Sequence, residues 1–393
     1  MNDDLTLDET KLPEIHYVGL FQKLIIKIQA LSKQQRLGIV MAVLVVIVVS
    51  IFIGIFFLTK TPSNPIVTPT LVIKNPQITP TNPEEPKNMI LPLNGEKVTE
   101  TRYKEITAKR PLAIVVENHP DARPQIGLDQ ADIVFETLTE GGITRFIAMF
   151  YSKEPTVVGP VRSMRKYFLD FTGGLGNPVY MHVGYAESTN PEANAIGALN
   201  TGGYNTLGFT NIWWRASGRS APHNAYVSTK DLWAGALERG WTTAAVSSLW
   251  EFKDPEVTPN VTNPNISVDW GAWADHGFDV KWQYDLTQNK YLRFYDNTAH
   301  TDELSKNQYF ANTILVLFTQ QQLADDGTAR ITIKTNGTGK ALVFEDGKVI
   351  AGTWYKESAK DYFRVKDAID KVVQFNRGLT WVMVVPLDSN VTY

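Results

Sequence analysis

The sequence predicts a mixed α/β (α+β) domain followed by a mostly β domain, both carried outside the cell by a single N-terminal transmembrane helix. Three observations carry this prediction. Residues 38–58 are apolar and uncharged throughout. From about residue 105 to 250, strand-like apolar runs alternate with helical patterns, and beyond 258 the runs are short, alternating and β-branched.

The segment 38–58, "GIVMAVLVVIVVSIFIGIFFL", is as long as the roughly 20 helical residues that span a bilayer. No polar face interrupts it, as a core helix would require. It ends in "FFLTK" rather than in a small-x-small cleavage site, so it reads as an anchor and not as a signal peptide. Lys11, Lys23, Lys27, Lys33 and Arg36 precede it and only Lys60 closely follows. The positive-inside bias therefore makes residues 1–37 a cytoplasmic tail and places the rest extracytoplasmically. Leu20, Leu24, Ile28 and Leu31 recur at helical spacing before the span. That stretch either lies on the inner leaflet or extends the membrane helix, and both readings stand.

Residues 59–95 alternate proline with Thr and Asn and are expected to be an extended linker with a reach on the order of 100 Å. In the first domain, residues 100–250, strands are expected at 111–117, 131–137, 143–151 and 178–184. A helix is expected over "GPVRSMRKYFLDF" (159–171), with Pro160 near its start. Two short capped helices are expected in "NPEANAIGALN" and "STKDLWAGALERG", the latter capped by Ser228 or Thr229 and stopped by Gly240. The turn-rich stretch 250–265 reads as a boundary. In the second domain, 258–393, Asp346-Gly347 and Asn336-Gly337 are hairpin signals.

Composition excludes more than it proves. The chain has 393 residues, a net charge of −3 and no cysteine. Disulfides, thiol nucleophiles, zinc–thiolate sites and cysteine lipidation are therefore ruled out. No nucleic-acid partner is indicated.

The stretches "PLAIVVENHPDARPQIGLDQADIVFETLTEGGITRFIAMF", "VGPVRSMRKYF", "HVGYAES" and "RSAPHNAYVST" resemble the YerB-like family of bacterial envelope lipoproteins. "YLRFYDNTAHTDELSKNQYFANTILVLF" and "GKALVFEDGKVIAGTWYKES" resemble that family's second domain. The resemblance covers about 105–387 and implies a membrane-tethered surface protein of two domains of unknown function. It supplies no catalytic residues. Two features depart from the family: a membrane helix replaces the lipid-bearing cysteine, and "NIWWRASG" has no counterpart.

If the predicted strands share a sheet, their carboxyl ends deliver Glu117–His119, Glu136–Glu140 and His182–Glu187 to one rim, where clefts of α/β folds sit. The candidate ligand contacts are Glu117, Asn118, His119, Arg123, Arg145, Arg162, Arg165 and Arg219. Arg162 and Arg165, three apart at a helix start, would project together and suit a carboxylate or phosphate. The competing structural reading pairs them with Glu136, Glu140 or Asp170, and pairs Arg145 with a carboxylate such as Glu136. The catalytic candidates, should there be acid–base chemistry, are Glu136, Glu140, His182 and His223. His119, His182 and His223 are widely separated and lack paired metal-ligand spacing, so no metal site is assigned. Ser163 and Ser220 lack a nucleophile elbow, no phosphate-cradling glycine loop is present, and no cofactor is implied. Trp354 and Trp381 read as core rather than as a sugar platform.

The leading expectation is a noncatalytic envelope protein that holds an anionic or sugar-bearing cell-wall ligand, or a protein partner, in the first domain. The alternatives are a cell-wall hydrolase or transferase using Glu/His chemistry, and a scaffold for envelope assembly.

Overall fold

The computed structural model describes residues 85–393 except 244–245, 247–249 and 258–259, together with Ser32 and Gln34. The predicted span 38–58, the amphipathic stretch before it and most of the linker lie outside the described residues. Among the described residues no helix is long and apolar enough to cross a membrane. Asn82–Tyr393 form one compact unit. It has few helices and many strands and is mostly β towards its C-terminus.

Ten strands make the central sheet: β1 (Leu112–Glu117), β2 (Ile133–Leu138), β3 (Thr144–Phe150), β4 (Val179–Met181), β5 (Asn205–Thr206), β6 (Thr313–Thr319), β7 (Gly337–Glu345), β8 (Lys348–Lys356), β9 (Arg364–Asp367) and β10 (Thr380–Pro386). Their order is β9-β8-β7-β6-β10-β2-β3-β1-β4-β5. Every residue of β1, β2, β3, β6 and β10 is buried, which is why these strands read as largely apolar runs, with Glu117, Glu136 and Arg145 as the charged exceptions. The predicted boundary at 250–265 does not separate two sheets. β10 from the C-terminal half lies parallel to β2 from the N-terminal half, with Trp381 opposite Val134 and Met383 opposite Glu136.

A second sheet runs Thr298–Ala299, Lys290–Tyr295, Val280–Asp285, Asn265–Asp269, Asn390–Thr392, with Phe310–Ala311 beside Lys290–Tyr295. Val280–Asp285 alternates buried and exposed residues, as a half-covered strand should. Its Trp282 meets Trp381 of the central sheet edge-on, with ring centroids 5.3 Å apart. Trp354 and Trp381 are fully buried, in agreement with the core reading.

The local signals worked where backbone chemistry was decisive. Asn194 caps Ala195–Thr201, Ser228 caps Thr229–Glu238, and Gly240 follows at φ +71. Asp346 and Gly347, both at positive φ, turn β7 into β8.

Three expectations are corrected. Asn336-Gly337 makes no hairpin: Ile331–Ile333 pairs with Gln321–Leu323, whereas β7 pairs with β6 and β8. The linker does not extend to 95. Leu91 and Leu93 enter the core, and Asn94 donates to Asp132 at 2.6 Å. The helix expected over 159–171 is confined to Lys166–Thr172. Residues 158–164 are instead extended and bonded to three neighbours. The Glu117 amide donates to the Pro160 carbonyl (2.8 Å), the Val161 amide to Ala225 (2.6 Å) and the Met164 amide to Gly184 (3.0 Å). Those long-range bonds occupy the groups that a helical ladder would have used.

Candidate functional site

β1, β2 and β4 run parallel because β1 and β2 both pair antiparallel with β3, and β4 pairs parallel with β1. Their carboxyl ends therefore reach one rim, together with the start of β3. The rim holds Glu117, His119, Asp121, Glu140, Arg145, Arg162, Arg165 and His223.

Glu117 is 1 % exposed and organises the centre. Its Oε1 accepts from Arg162 Nε at 2.8 Å. Its Oε2 lies 3.1 Å from His223 Nδ1, off the line of a hydrogen bond, so both atoms are buried without a hydrogen-bond partner. The His119 and His223 rings stack at 4.8 Å. Asp121 Oδ2 stands 3.6 Å from His119 Nδ1 and 3.9 Å from His223 Nε2. Next door Arg165 grips Glu140 with two bonds, Nε to Oε1 at 2.7 Å and Nη2 to Oε2 at 2.6 Å. These bonds, together with the charges of Arg165 and Arg145, outweigh burial and hold the Glu140 carboxyl below its ordinary range.

Arg145 is 5 % exposed and differs from its neighbours. It lies directly across from Glu117 in the β1–β3 pairing, yet among the described residues no carboxylate is ion-paired to it. Its Nη1 donates to the Ser163 carbonyl at 3.2 Å, and its Nε has no partner. Burial first, and the adjacent Arg165 second, push its pKa down to about 10. Three guanidinium groups thus share two carboxylates.

The expected pairing of Arg145 with Glu136 does not occur, and strand alternation explains why. Opposite Glu136 on β3 stands Phe146, while Arg145 stands opposite Thr137, so the two charges leave opposite faces of the sheet. Glu136 is buried against the second sheet. Arg293 Nη2 reaches both of its oxygens at 2.8 Å, Trp381 Nε1 donates at 3.0 Å and Thr144 Oγ1 at 3.0 Å. Glu136 is a core ion pair and does not reach the rim.

His182 is likewise removed from the catalytic set by its burial. Its Nδ1 meets the Gly184 carbonyl at 2.8 Å and its Nε2 meets Thr206 Oγ1 at 3.0 Å. The ring packs onto Gly208, where an added Cβ would fall 2.3 Å from ring atoms. Burial pushes its pKa down to about 4, and it is a neutral structural residue.

Asn118, Arg123 and Arg219 secure the loop after β1. Asn118 Oδ1 accepts from Gln125 Nε2 (2.8 Å) and Tyr295 OH (2.7 Å), and Arg123 lies over the Tyr295 ring at 3.8 Å. Arg219 donates to the carbonyls of Ala122 and Pro124 and to Glu303. These three candidates are occupied by structural bonds. Arg162 and Arg165 do converge, but from an extended segment and a helix N-cap position, not from one helix face. Asp121, which was not among the sequence candidates, belongs to the rim. The signal available for it was its place two residues after His119.

Fold and rim together define a mixed-sheet protein whose loop after β1 is clamped between both halves of the chain and whose strand ends carry a partly neutralised arginine cluster. The chain belongs to the family described as protein of unknown function (DUF3048), its N-terminal domain model matching residues 95–242 and its C-terminal domain model matching 268–382. It is similar to "Putative lipoprotein YerB" of Bacillus subtilis (strain 168), with 33% identity over 305 residues, 77% of this chain and 88% of that protein. It is also similar to the crystal structure of YerB protein from Bacillus subtilis, with a TM-score of 0.67 and 31% identity, covering 78% of this chain and 100% of that one. The YerB-like resemblance read from the sequence is established.

Proposed function

We propose that this chain is a noncatalytic, membrane-anchored extracytoplasmic protein that holds an anionic envelope ligand, carrying phosphate or carboxylate groups, at the rim of β1, β2 and β4. The observation that supports this is Arg145, a buried guanidinium beside Arg162 and Arg165 with no carboxylate of its own among the described residues. Buried charge is ordinarily paired, and an unpaired one invites an external counter-ion. Arg162 is partly exposed and binds Glu117 through Nε, and its guanidinium adds directional donors for a planar anion. The anchor is the apolar run 38–58. The relative's description as a lipoprotein agrees with attachment at the envelope.

Arg145→Met tests this reading. A buried guanidinium held by one carbonyl and no carboxylate contributes little to the fold, so the variant is expected to melt at or above the wild-type temperature. It is also expected to bind a glycerol-phosphate polymer or inorganic phosphate about tenfold more weakly, the loss of one charge-assisted contact. A lowered melting temperature with unchanged anion affinity would show that Arg145 is structural and would remove the reading.

A further inference from the structure

The geometry points to a divalent-cation site of the zinc type on His119, Asp121 and His223, with Glu117 as the buried carboxylate that orients His223 from behind. The inference stands apart from the anion reading and needs no anion.

Three donor atoms of borderline and hard character meet here, a set that suits zinc and its first-row neighbours. One donor atom from each residue lies within 4.8 Å of the other two. Asp121 Oδ2 is 3.6 Å from His119 Nδ1, which accepts from the Asp121 amide at 3.2 Å and would exchange that bond for the ion, and 3.9 Å from His223 Nε2. Donors bound tetrahedrally at about 2.1 Å stand roughly 3.4 Å apart, so Asp121 closes by a few tenths of an ångström on each histidine, and the stacked imidazoles turn to aim both nitrogens at one ion. Asp121 is the most exposed of the three and is free to make that movement.

Glu117 supplies the independent observation. It is almost wholly buried, and its Oε2 lacks a donor while facing His223 Nδ1 at 3.1 Å. A proton on Nδ1, attracted to that carboxylate, leaves the Nε2 lone pair on the side of Asp121 and His119. Metal-bound histidines are commonly held by a carboxylate in this manner, which fixes the tautomer and raises the basicity of the ligating nitrogen. An ion would draw the ring into line with Glu117 and satisfy both orphaned atoms together. Three protein ligands leave a fourth position open. The other oxygen of Glu117 holds Arg162, so the carboxylate behind His223 is itself fixed in place.

The spacing of these residues in sequence hid the site. His119 and Asp121 come from the loop after β1, and His223 from a loop about a hundred residues later. No metal site was assigned from the three widely separated histidines, yet the fold brings two of them together while His182 is held elsewhere.

Zinc chloride alone, titrated calorimetrically into the purified full-length chain, tests the inference. The expected result is one ion bound per chain. His119→Ala and His223→Ala are each expected to lower affinity at least tenfold, and Glu117→Gln to lower it by about tenfold, as for a carboxylate behind a ligand. Among the described residues Asp269, Asp279 and the exposed His276 form the other group with ligand-like spacing, so His276→Ala should leave binding unchanged. Circular dichroism and melting curves accompany each variant. If His223→Ala fails to fold, the more exposed His119→Ala decides the question. Absence of zinc binding, binding indifferent to His119→Ala, or binding abolished by His276→Ala would each overturn the inference.

Discussion

Glu136→Ala is expected to destabilise the folded unit by about 3–5 kcal/mol, because it leaves Arg293 charged, fully buried and without its counter-ion. Arg293 has nowhere else to send that charge. Its guanidinium lies among the rings of Phe146, Trp282, Tyr295 and Trp381, with centroid distances of 4.5 to 5.6 Å. Its Nη1 donates to His300 Nδ1, which must accept because arginine cannot, so His300 Nε2 carries the proton that meets Gln125 Oε1 at 2.7 Å. Cutting the pair therefore loosens the second sheet, the β1 loop and Trp381 together. The double variant Glu136→Met/Arg293→Met removes both charges and is expected to recover most of the loss, since apolar replacement of a buried pair is often neutral or better. Urea unfolding monitored by tryptophan fluorescence measures both. A loss below about 1 kcal/mol in Glu136→Ala would contradict the assigned role. The same result bears on the hydrolase alternative: activity lost in a Glu136 variant would report the fold and not a general acid.

The second large effect is a pH dependence at His182. Burial depresses its folded pKa from 6.5 to about 4, so the unfolded chain takes up the proton first as pH falls. Its contribution is fully present above pH 6.5 and is lost between there and pH 4, amounting to about 3 kcal/mol. His300, also held neutral by burial and by the neighbouring arginines, acts in the same direction. Asp132 acts in the opposite one. Burial raises its pKa to about 6 despite donors from Asn94, Tyr151 and Ser152, so its protonation favours the folded state as pH falls below 6. The measurement is therefore a difference: wild-type stability minus that of His182→Gln, followed from pH 7 to pH 4. The difference should shrink by about 3 kcal/mol over that range. A flat difference would mean that His182 is protonated, or hydrated, in the folded protein.

Particular residues show where the sequence could be read and where it could not. Strands β1, β2, β3 and β4 were legible because runs of three to six consecutive apolar side chains have no other place to go than a doubly covered sheet. The helix caps and the Asp346-Gly347 turn were legible because one side-chain oxygen or one positive φ decides them locally. Asn336-Gly337 carried the same kind of signal and failed, because β7 found partners on both sides and the local turn preference lost to the ladder. The segment 158–164 failed for a related reason. Its helical periodicity was genuine but weaker than the long-range bonds waiting for its backbone.

Glu136, Glu140, His182 and His223 looked equivalent as sequence, and the fold sent them to four different environments. Register accounts for the first: one step along β2 moves a side chain from the rim-facing surface to the second sheet. By itself, the sequence determined that strand ends rich in charge would gather at one edge, since apolar runs must stop where burial stops. Only the tertiary structure decided which charges would meet, leaving Arg145 without a counter-ion among the described residues and setting His119 against His223. Ion pairs and ligand sets form between residues distant in the chain, and their partners are chosen by sheet order and register, which no local pattern encodes.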